Sequence, residues 1–220
     1  MYSGFLKRFF DLILSAVAIV ILAIPMLVVS VIIKLDSPGP VFFKQKRVGL
    51  NKKLFTIFKF RSMPINVPKD MPTHMFEDKN QLSRFQRFIR RSSVDELPQI
   101  FNIFVGQMSI VGPRPALWNQ DDLIAERDKY GANDVKPGLT GWAQINGRDE
   151  LEIPHKARLD GEYTAALKAG KFKGVMMDAR CFFGTFLSVL RSDGVVEGGT
   201  GELNKNRSDE DSEKKEKSDE

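Results

Sequence analysis

Leu12–Ile33 reads LILSAVAIVILAIPMLVVSVII. Only Ser15, Pro25 and Ser30 depart from aliphatic residues, Ala and Met. The run has 22 residues. At about 1.5 Å per residue, a helix of that length reaches roughly 33 Å and can cross a hydrocarbon core about 30 Å thick. The run is too long for the apolar part of a cleavable leader, and no small-residue cleavage site follows it. Lys7 and Arg8 precede it; Lys34, Lys44, Lys46 and Arg47 follow. Basic flanks prefer the cytoplasmic face of a membrane, and here both flanks are basic. Pro25 removes one backbone hydrogen bond and bends a helix. Two topologies fit: a helix that enters, turns at Pro25 and leaves on the same side, or a bitopic span with a tolerated proline.

Outward from that run, Asp36-Ser37-Pro38-Gly39-Pro40 is a turn cluster. Val41–Phe43 and Leu54–Phe60 read as short strands joined by a basic loop around Gly49-Leu50-Asn51. By the two-residue period, Phe55, Ile57, Lys59 and Arg61 share one face. Pro64–Pro72 is polar and proline-rich and reads as a mobile loop. Helical patterns follow at Gln81–Arg91, Leu97–Phe104, Asn119–Tyr130, His155–Leu167 and Val175–Leu190. From Gly198 on, the chain is rich in Gly, Ser and charge and reads as disordered. There is no Gly-rich strand-to-helix signature of a Rossmann or P-loop domain. The expected fold is α+β and helix-rich, with a small antiparallel sheet. The expected division is a membrane segment 1–35, a globular domain 36–197 and a charged tail 198–220.

The chain has 220 residues, room for one domain with a core. Its formal charge is +5, but residues 202–220 hold eight acids against five bases, so the first 201 residues carry +8. A basic body suits an anionic partner: phospholipid, a phosphorylated substrate or nucleic acid. Cys181 is the sole cysteine, so no internal disulfide can form. His74 and His155 lack metal-ligand spacing, which argues against a zinc site.

Chemistry concentrates in Arg90-Arg91-Ser92-Ser93-Val94-Asp95-Glu96-Leu97-Pro98-Gln99. Ser93 and Glu96 have capping-box spacing, and Pro98 fits the first turn of a helix. Asp95 and Glu96 then lie near a helix N-terminus, where the dipole and neighbouring guanidinium groups favour ionised carboxylates. Such acids can be nucleophiles, or they can merely cap the helix and pair with Arg90 or Arg91. Arg114 stands between Pro113 and Pro115, presented by a stiff turn that suits phosphate oxygens or a surface carboxylate. Lys136–Arg148 holds three glycines, Trp142 and amides, which suits either a polar-ligand lining or a packed hairpin.

Together these runs resemble the bacterial sugar transferases called monotopic phosphoglycosyl transferases. The resemblance rests on Lys59-Phe60-Arg61-Ser62-Met63, Asp95-Glu96-Leu97-Pro98-Gln99, Val111–Pro115 and Lys136-Pro137-Gly138 through Gly147-Arg148. Ser37–Phe43 and Gln45–Gly49 belong to the same pattern, which runs in unbroken order from about Lys7 to Leu190. It implies a re-entrant membrane helix kinked at Pro25, a domain facing the cytoplasm at the bacterial inner membrane, and Mg²⁺-dependent transfer of a sugar phosphate from a nucleotide sugar to undecaprenyl phosphate, a polyprenyl phosphate. It implies Asp95 as nucleophile with Glu96 as its partner acid. Lys59, Arg61, Arg90, Arg114 and Arg148 would surround the phosphates, and Asp178 would join Asp95 and Glu96 near the metal. Many members carry Ser-Pro at the kink, whereas here the pair is Ile24-Pro25, without the hydroxyl that could bond a freed carbonyl.

Three other readings compete. A basic membrane-anchored adaptor or lipid-binding module explains charge and anchor, but gives no reason for Asp-Glu beside Arg-Arg and a Pro-Arg-Pro turn. A tethered nucleic-acid binder lacks any helix-turn-helix, zinc-finger or aromatic RNA-reading motif, so no nucleic acid is expected. A non-covalent enzyme would use Asp95 only to hold Mg²⁺. Phospholipid is an expected partner, and a homo-oligomer stays open.

Overall fold

The computed structural model describes residues 2–65, 82–147 and 151–191. The helix α1 runs from Lys7 to Asp36 after a π-helical turn at Tyr2–Leu6, and the chain passes Pro25 without a break. Its buried residues, Lys7, Asp11, Ser15, Met26 and Ile33, form a stripe on one side. Val20, Ile21, Ile24 and Leu27 face away, exposed. Ser30 bonds the Met26 carbonyl at 2.7 Å, one turn back on its own helix. It therefore does not serve Ile21, whose carbonyl loses its partner to Pro25.

Both ends of α1 are fastened to the same domain. At the start, Arg8 donates to the carbonyls of Ile103 and Phe104 at 2.6 and 2.7 Å, in the last turn of a later helix. Asp11 accepts from Ser109 Oγ and the Ile110 N–H, and Lys7 pairs with Asp178 at 2.6 Å. At the far end, Arg61 donates to the carbonyls of Ser37 and Pro38, and Ser83 Oγ donates to Asp36 at 2.8 Å.

Strands β1 (Phe42–Val48) and β2 (Leu54–Phe60) pair antiparallel, with Phe43 opposite Lys59 and Val48 opposite Leu54. β1 runs five residues beyond the expected Phe43, through Lys44, Lys46 and Arg47, with Gln45 and Val48 buried. The turn between the strands has Asn51 and Lys52 at φ 52° and 60°. Helix α2 (Arg84–Arg91) follows, then a 3-10 turn Val94–Glu96 and helix α3 (Gln99–Val105). Asn102, fully buried on α3, accepts from the Phe58 N–H and donates to the Thr56 carbonyl. It acts as a third strand would on the open edge of β2 and fixes α3 against the strand that carries Lys59.

The capping box lies elsewhere than expected. Ser83 and Gln86 form it at the head of α2, each side chain bonding the other's backbone N–H. Ser93 makes no cap bond, since its φ of 56° is left-handed whereas an N-cap needs extended dihedrals.

A second, parallel pair joins β3 (Ser109–Val111) to β4 (Gly138–Thr140), which the expectation of one antiparallel sheet did not include. Its chains cross at Gly112 and Gly138, where a Cβ on either would strike the other's backbone. Helix α4 (Asp121–Asp128) is tied to α6 (Ile153–Lys168) by Arg127 and Asp160, a buried pair 2.6 Å apart. Helix α5 (Trp142–Ile145) and α7 (Lys171–Arg191) complete the described fold. Trp142 packs beside the core of Val111, Tyr163, Leu167 and Cys181, and its Nε1 donates to Glu162. Asn146 donates to the Trp142 carbonyl at 2.8 Å.

Candidate active site

The chain reverses between α2 and α3. Ser93, in its left-handed conformation, makes that reversal, a strained dihedral for a residue with a Cβ. Val94 and Leu97 then drop into an apolar cluster with Met26, Ile33, Phe60 and Ile89. Two apolar anchors flank two acids, so Asp95 and Glu96 are carried inward and become 9% and 8% exposed. Met26 and Ile33 belong to α1, so the apolar helix packs directly against the acid-bearing turn.

The two acids have different partners. Glu96 Oε1 accepts from Lys59 Nζ at 2.9 Å and from Arg114 Nη2 at 2.6 Å, while Arg114 Nη1 reaches Oε2 at 3.3 Å. Burial alone would raise the Glu96 pKa, but the charges and hydrogen bonds of Arg114 and Lys59 overcome it and hold the carboxyl well below its ordinary value. Among the described residues, Asp95 accepts one weak bond, from Ser62 Oγ at 3.3 Å. Burial pushes its pKa up to about 6; Lys59, Arg90 and Arg114 oppose this, and the Glu96 charge adds to it. Glu96 is the acid held firmly ionised, and Asp95 is the more basic one, because desolvation outweighs nearby cations that bond its neighbour instead.

Arg114 is aimed by its surroundings. The Pro113 carbonyl accepts from the Gly138 N–H at 2.9 Å, and the Pro115 carbonyl from Arg47 at 3.0 Å. The Ala116 carbonyl accepts from the Val48 N–H. The turn is pinned on both sides, by β4 and by the end of β1.

The remaining expected site residues divide. Lys59, Arg114 and, through its charge, Arg90 gather at the acids. Arg61 does not offer its guanidinium there: it donates to Ser37 Oγ and to the carbonyls of Ser37 and Pro38, securing the end of α1. Asp178 accepts from Lys7 and from Tyr163 OH at 2.9 Å, and joins α7 to the start of α1. Among the described residues, no three His, Cys, Asp or Glu side chains come together as a metal-binding group. Arg148, residues 66–72 of the expected loop and the tail 198–220 lie outside the described residues. Sequence reasoning did not single out Ser62, Arg47 or Gln99. Ser62 stands beside a conspicuous arginine, and Arg47 looked like one more basic flank; only the fold brings them to the acids.

The sequence pattern described as bacterial sugar transferase matches residues 2–192. An uncharacterized sugar transferase, EpsL, of Bacillus subtilis (strain 168) is 40% identical over 158 residues, covering 72% of this chain and 77% of the relative. The exopolysaccharide production protein PSS of Rhizobium leguminosarum bv. phaseoli is 38% identical over 198 residues, 84% of this chain and 95% of its own. A UDP-glucose:undecaprenyl-phosphate glucose-1-phosphate transferase of Xanthomonas campestris pv. campestris is 44% identical over 144 residues, 64% of this chain. The matched part is 30% of that relative's length.

Proposed function

This chain belongs to the bacterial sugar transferase family, and from that premise we propose that it moves a sugar 1-phosphate from a nucleotide sugar, with UDP as the carrier, to undecaprenyl phosphate through a covalent intermediate on Asp95. The observation that carries this reading is the division of labour between the acids. Glu96 engages Lys59 and Arg114. Asp95 is left buried, basic and bonded only weakly, with its pKa pushed up to about 6. A carboxylate in that state is ionised at neutral pH, poorly solvated and ready to attack.

In the first step an Asp95 oxygen attacks the sugar-bearing phosphorus. A P–O bond forms, the bond to the bridging oxygen breaks, and the electron pair leaves with the nucleoside monophosphate. In the second, a lipid phosphate oxygen attacks the same phosphorus and the Asp95 carboxylate departs. Arg114 and Lys59 hold negative charge as it shifts between oxygens, and Glu96 keeps both in place.

Mg²⁺ suits this donor set. It takes one or two protein carboxylates and completes its shell with phosphate oxygens and water. Asp95 is a hard-oxygen donor raised by burial, a state that a dication relieves; Asp178, committed to Lys7 and Tyr163, is not free to join it. The ion would screen the diphosphate and polarise its oxygens.

Exposed Phe5, Phe9, Val20, Ile24 and Phe183 suit a lipid surface, and a basic body suits an anionic leaflet. Nucleotide sugars are cytoplasmic, which puts the domain on the cytoplasmic face of the inner membrane. The test is to incubate purified protein with UDP-sugars, Mg²⁺ and polyprenyl phosphate. Release of UMP with a sugar-phosphate adduct on the protein is expected. Release that needs the lipid, with no adduct, would replace the covalent step by direct transfer.

A further inference from the structure

Helix α2 reads RFQRFIRR and carries four arginines and no acid. Its two faces differ. Phe85 and Ile89 turn into the apolar cluster that holds Met26 and Ile33 of α1, and Gln86 is buried in its capping box. Arg84, Arg87, Phe88 and Arg91 are exposed, and at spacings of three, four and seven residues they form one stripe. Among the described residues, none of these three guanidinium groups has a partner, and the helix offers no acid for a pair within it. Arg84 takes the first helical position after the Ser83 cap, where the positive end of the helix dipole repels a cation; only Arg91, in the last turn, suits the dipole. Phe88 is 60% exposed and adds little to the core. The stripe thus does little to stabilise the free protein, and a partner outside the chain gives it a use.

Position selects that partner. Ser83 Oγ donates to Asp36, the last residue of α1, at 2.8 Å, so the first turn of α2 lies where α1 ends. Toward that end α1 leaves Val28, Val31 and Leu35 exposed. A bare apolar helix beside three arginines and a phenylalanine meets its complement in an anionic bilayer: phosphodiester oxygens for the guanidinium groups, the acyl boundary for the ring. An acidic protein or a nucleic acid would match the arginines and leave the aliphatic residues uncovered. We propose that α2 lies on the membrane surface and binds anionic phospholipid head groups through Arg84, Arg87, Phe88 and Arg91. Only Ser92 and Ser93 separate α2 from the turn that carries Asp95 and Glu96, and the charge of Arg90 is felt at Asp95. A lipid-held α2 steadies that turn, so anionic lipid raises turnover. This last step rests on the catalytic reading above; the docking rests only on α1 being seated in a membrane.

The experiment places the full chain in nanodiscs of phosphatidylcholine, alone or mixed with phosphatidylglycerol, without polyprenyl phosphate. Emission of the Phe88→Trp protein, less that of the wild type with its Trp118 and Trp142, is quenched by phospholipids brominated on the acyl chain. Quenching at least about twofold stronger in the mixed discs is expected. Arg84→Gln, Arg87→Gln and Arg91→Gln together should remove the difference. Amide hydrogen exchange over residues 84–91 needs no substitution, and it should slow in the mixed discs. Equal quenching and equal exchange in the two kinds of disc overturn the docking. Turnover is read separately, as UMP release after polyprenyl phosphate and UDP-sugar are added. The wild type should be at least about threefold faster in the mixed discs, and the triple variant equally fast in both. Lipid-dependent quenching with lipid-independent turnover overturns the activating step. Turnover with equal quenching and exchange defeats this inference alone. Lipid-dependent quenching with no turnover of any UDP-sugar defeats the catalytic reading and leaves the docking standing.

Discussion

Ser62 donates its hydroxyl hydrogen to Asp95 Oδ2 across 3.3 Å. The preceding residue, Arg61, grips the Ser37 and Pro38 carbonyls at the end of α1. Two neighbours in sequence therefore tie the acid to the anchor. Ser62→Ala removes the hydroxyl bond to Asp95 and leaves Arg61 in place; a fall in kcat with little change in membrane association is expected, measured as UMP release and by flotation with vesicles.

Asp95→Asn is expected to cost on the order of 10⁴ or more in rate and to eliminate the adduct. The same change should stabilise the empty protein above pH 6. The unfolded carboxyl titrates near 3.8 and the folded one near 6, so the folded state binds the proton more tightly. Stability contributed by Asp95 then falls as pH rises from about 4 to about 6, and at neutral pH the ionised acid is a penalty on the order of 3 kcal/mol. Glu96 has the opposite sign: its lowered pKa gives stability above its unfolded value, lost as pH falls. Urea unfolding at pH 4 and pH 7.5 tests this; an Asp95→Asn protein less stable than wild type at pH 7.5 counts against a desolvated Asp95. Activity should show an acid limb near pH 6.

Arg114→Lys keeps the charge but cannot span both Glu96 oxygens, which Arg114 reaches at 2.6 and 3.3 Å. A loss of activity on the order of a hundredfold is expected, with a small change in melting temperature because Gly138 and Arg47 hold the turn. Full activity would make this arginine peripheral.

Lys7 and Asp178 are 11% and 13% exposed and 2.6 Å apart. Asp178→Ala leaves a buried ammonium and should destabilise by about 3–5 kcal/mol, while Lys7→Met with Asp178→Leu should recover most of that. The affinity for Mg²⁺ should stay the same. A shifted Mg²⁺ requirement in Asp178→Ala, with stability intact, would return this acid to the metal site.

Arg8, Asp11 and Lys7 hold the start of α1 on the domain. A cysteine at Ser3, with buried Cys181 replaced by Ala, should be shielded from an impermeant thiol reagent in intact cells and react once the membrane is opened. Pro25→Ala alone should leave that pattern unchanged, since the helix ends are fastened independently of the bend. Labelling in intact cells would show a crossing helix.

Residues 12–33 determine an apolar helix by themselves, because length and composition suffice for that. Leu54–Phe60 likewise declares its strand by local alternation, and Asp95, Glu96, Lys59 and Arg114 are visible as chemistry-bearing groups in distinctive runs. Local pattern could not decide which acid would be ionised. Ser93 and Glu96 have the spacing of a capping box, yet a left-handed Ser93 denies the cap and buries both acids between Val94 and Leu97. Desolvation is a property of the packed neighbourhood, and it sets the two acids apart. The family resemblance implied Arg61 and Asp178 as site residues; their partners, Ser37 at 24 and Lys7 at 171 residues' separation, exist only once the chain closes on itself. The topology divides the same way. Basic flanks and Pro25 admitted two arrangements; the hydrogen bonds that join both ends of α1 to one domain link residues 23 to 171 positions apart, and no periodicity within the helix can encode them.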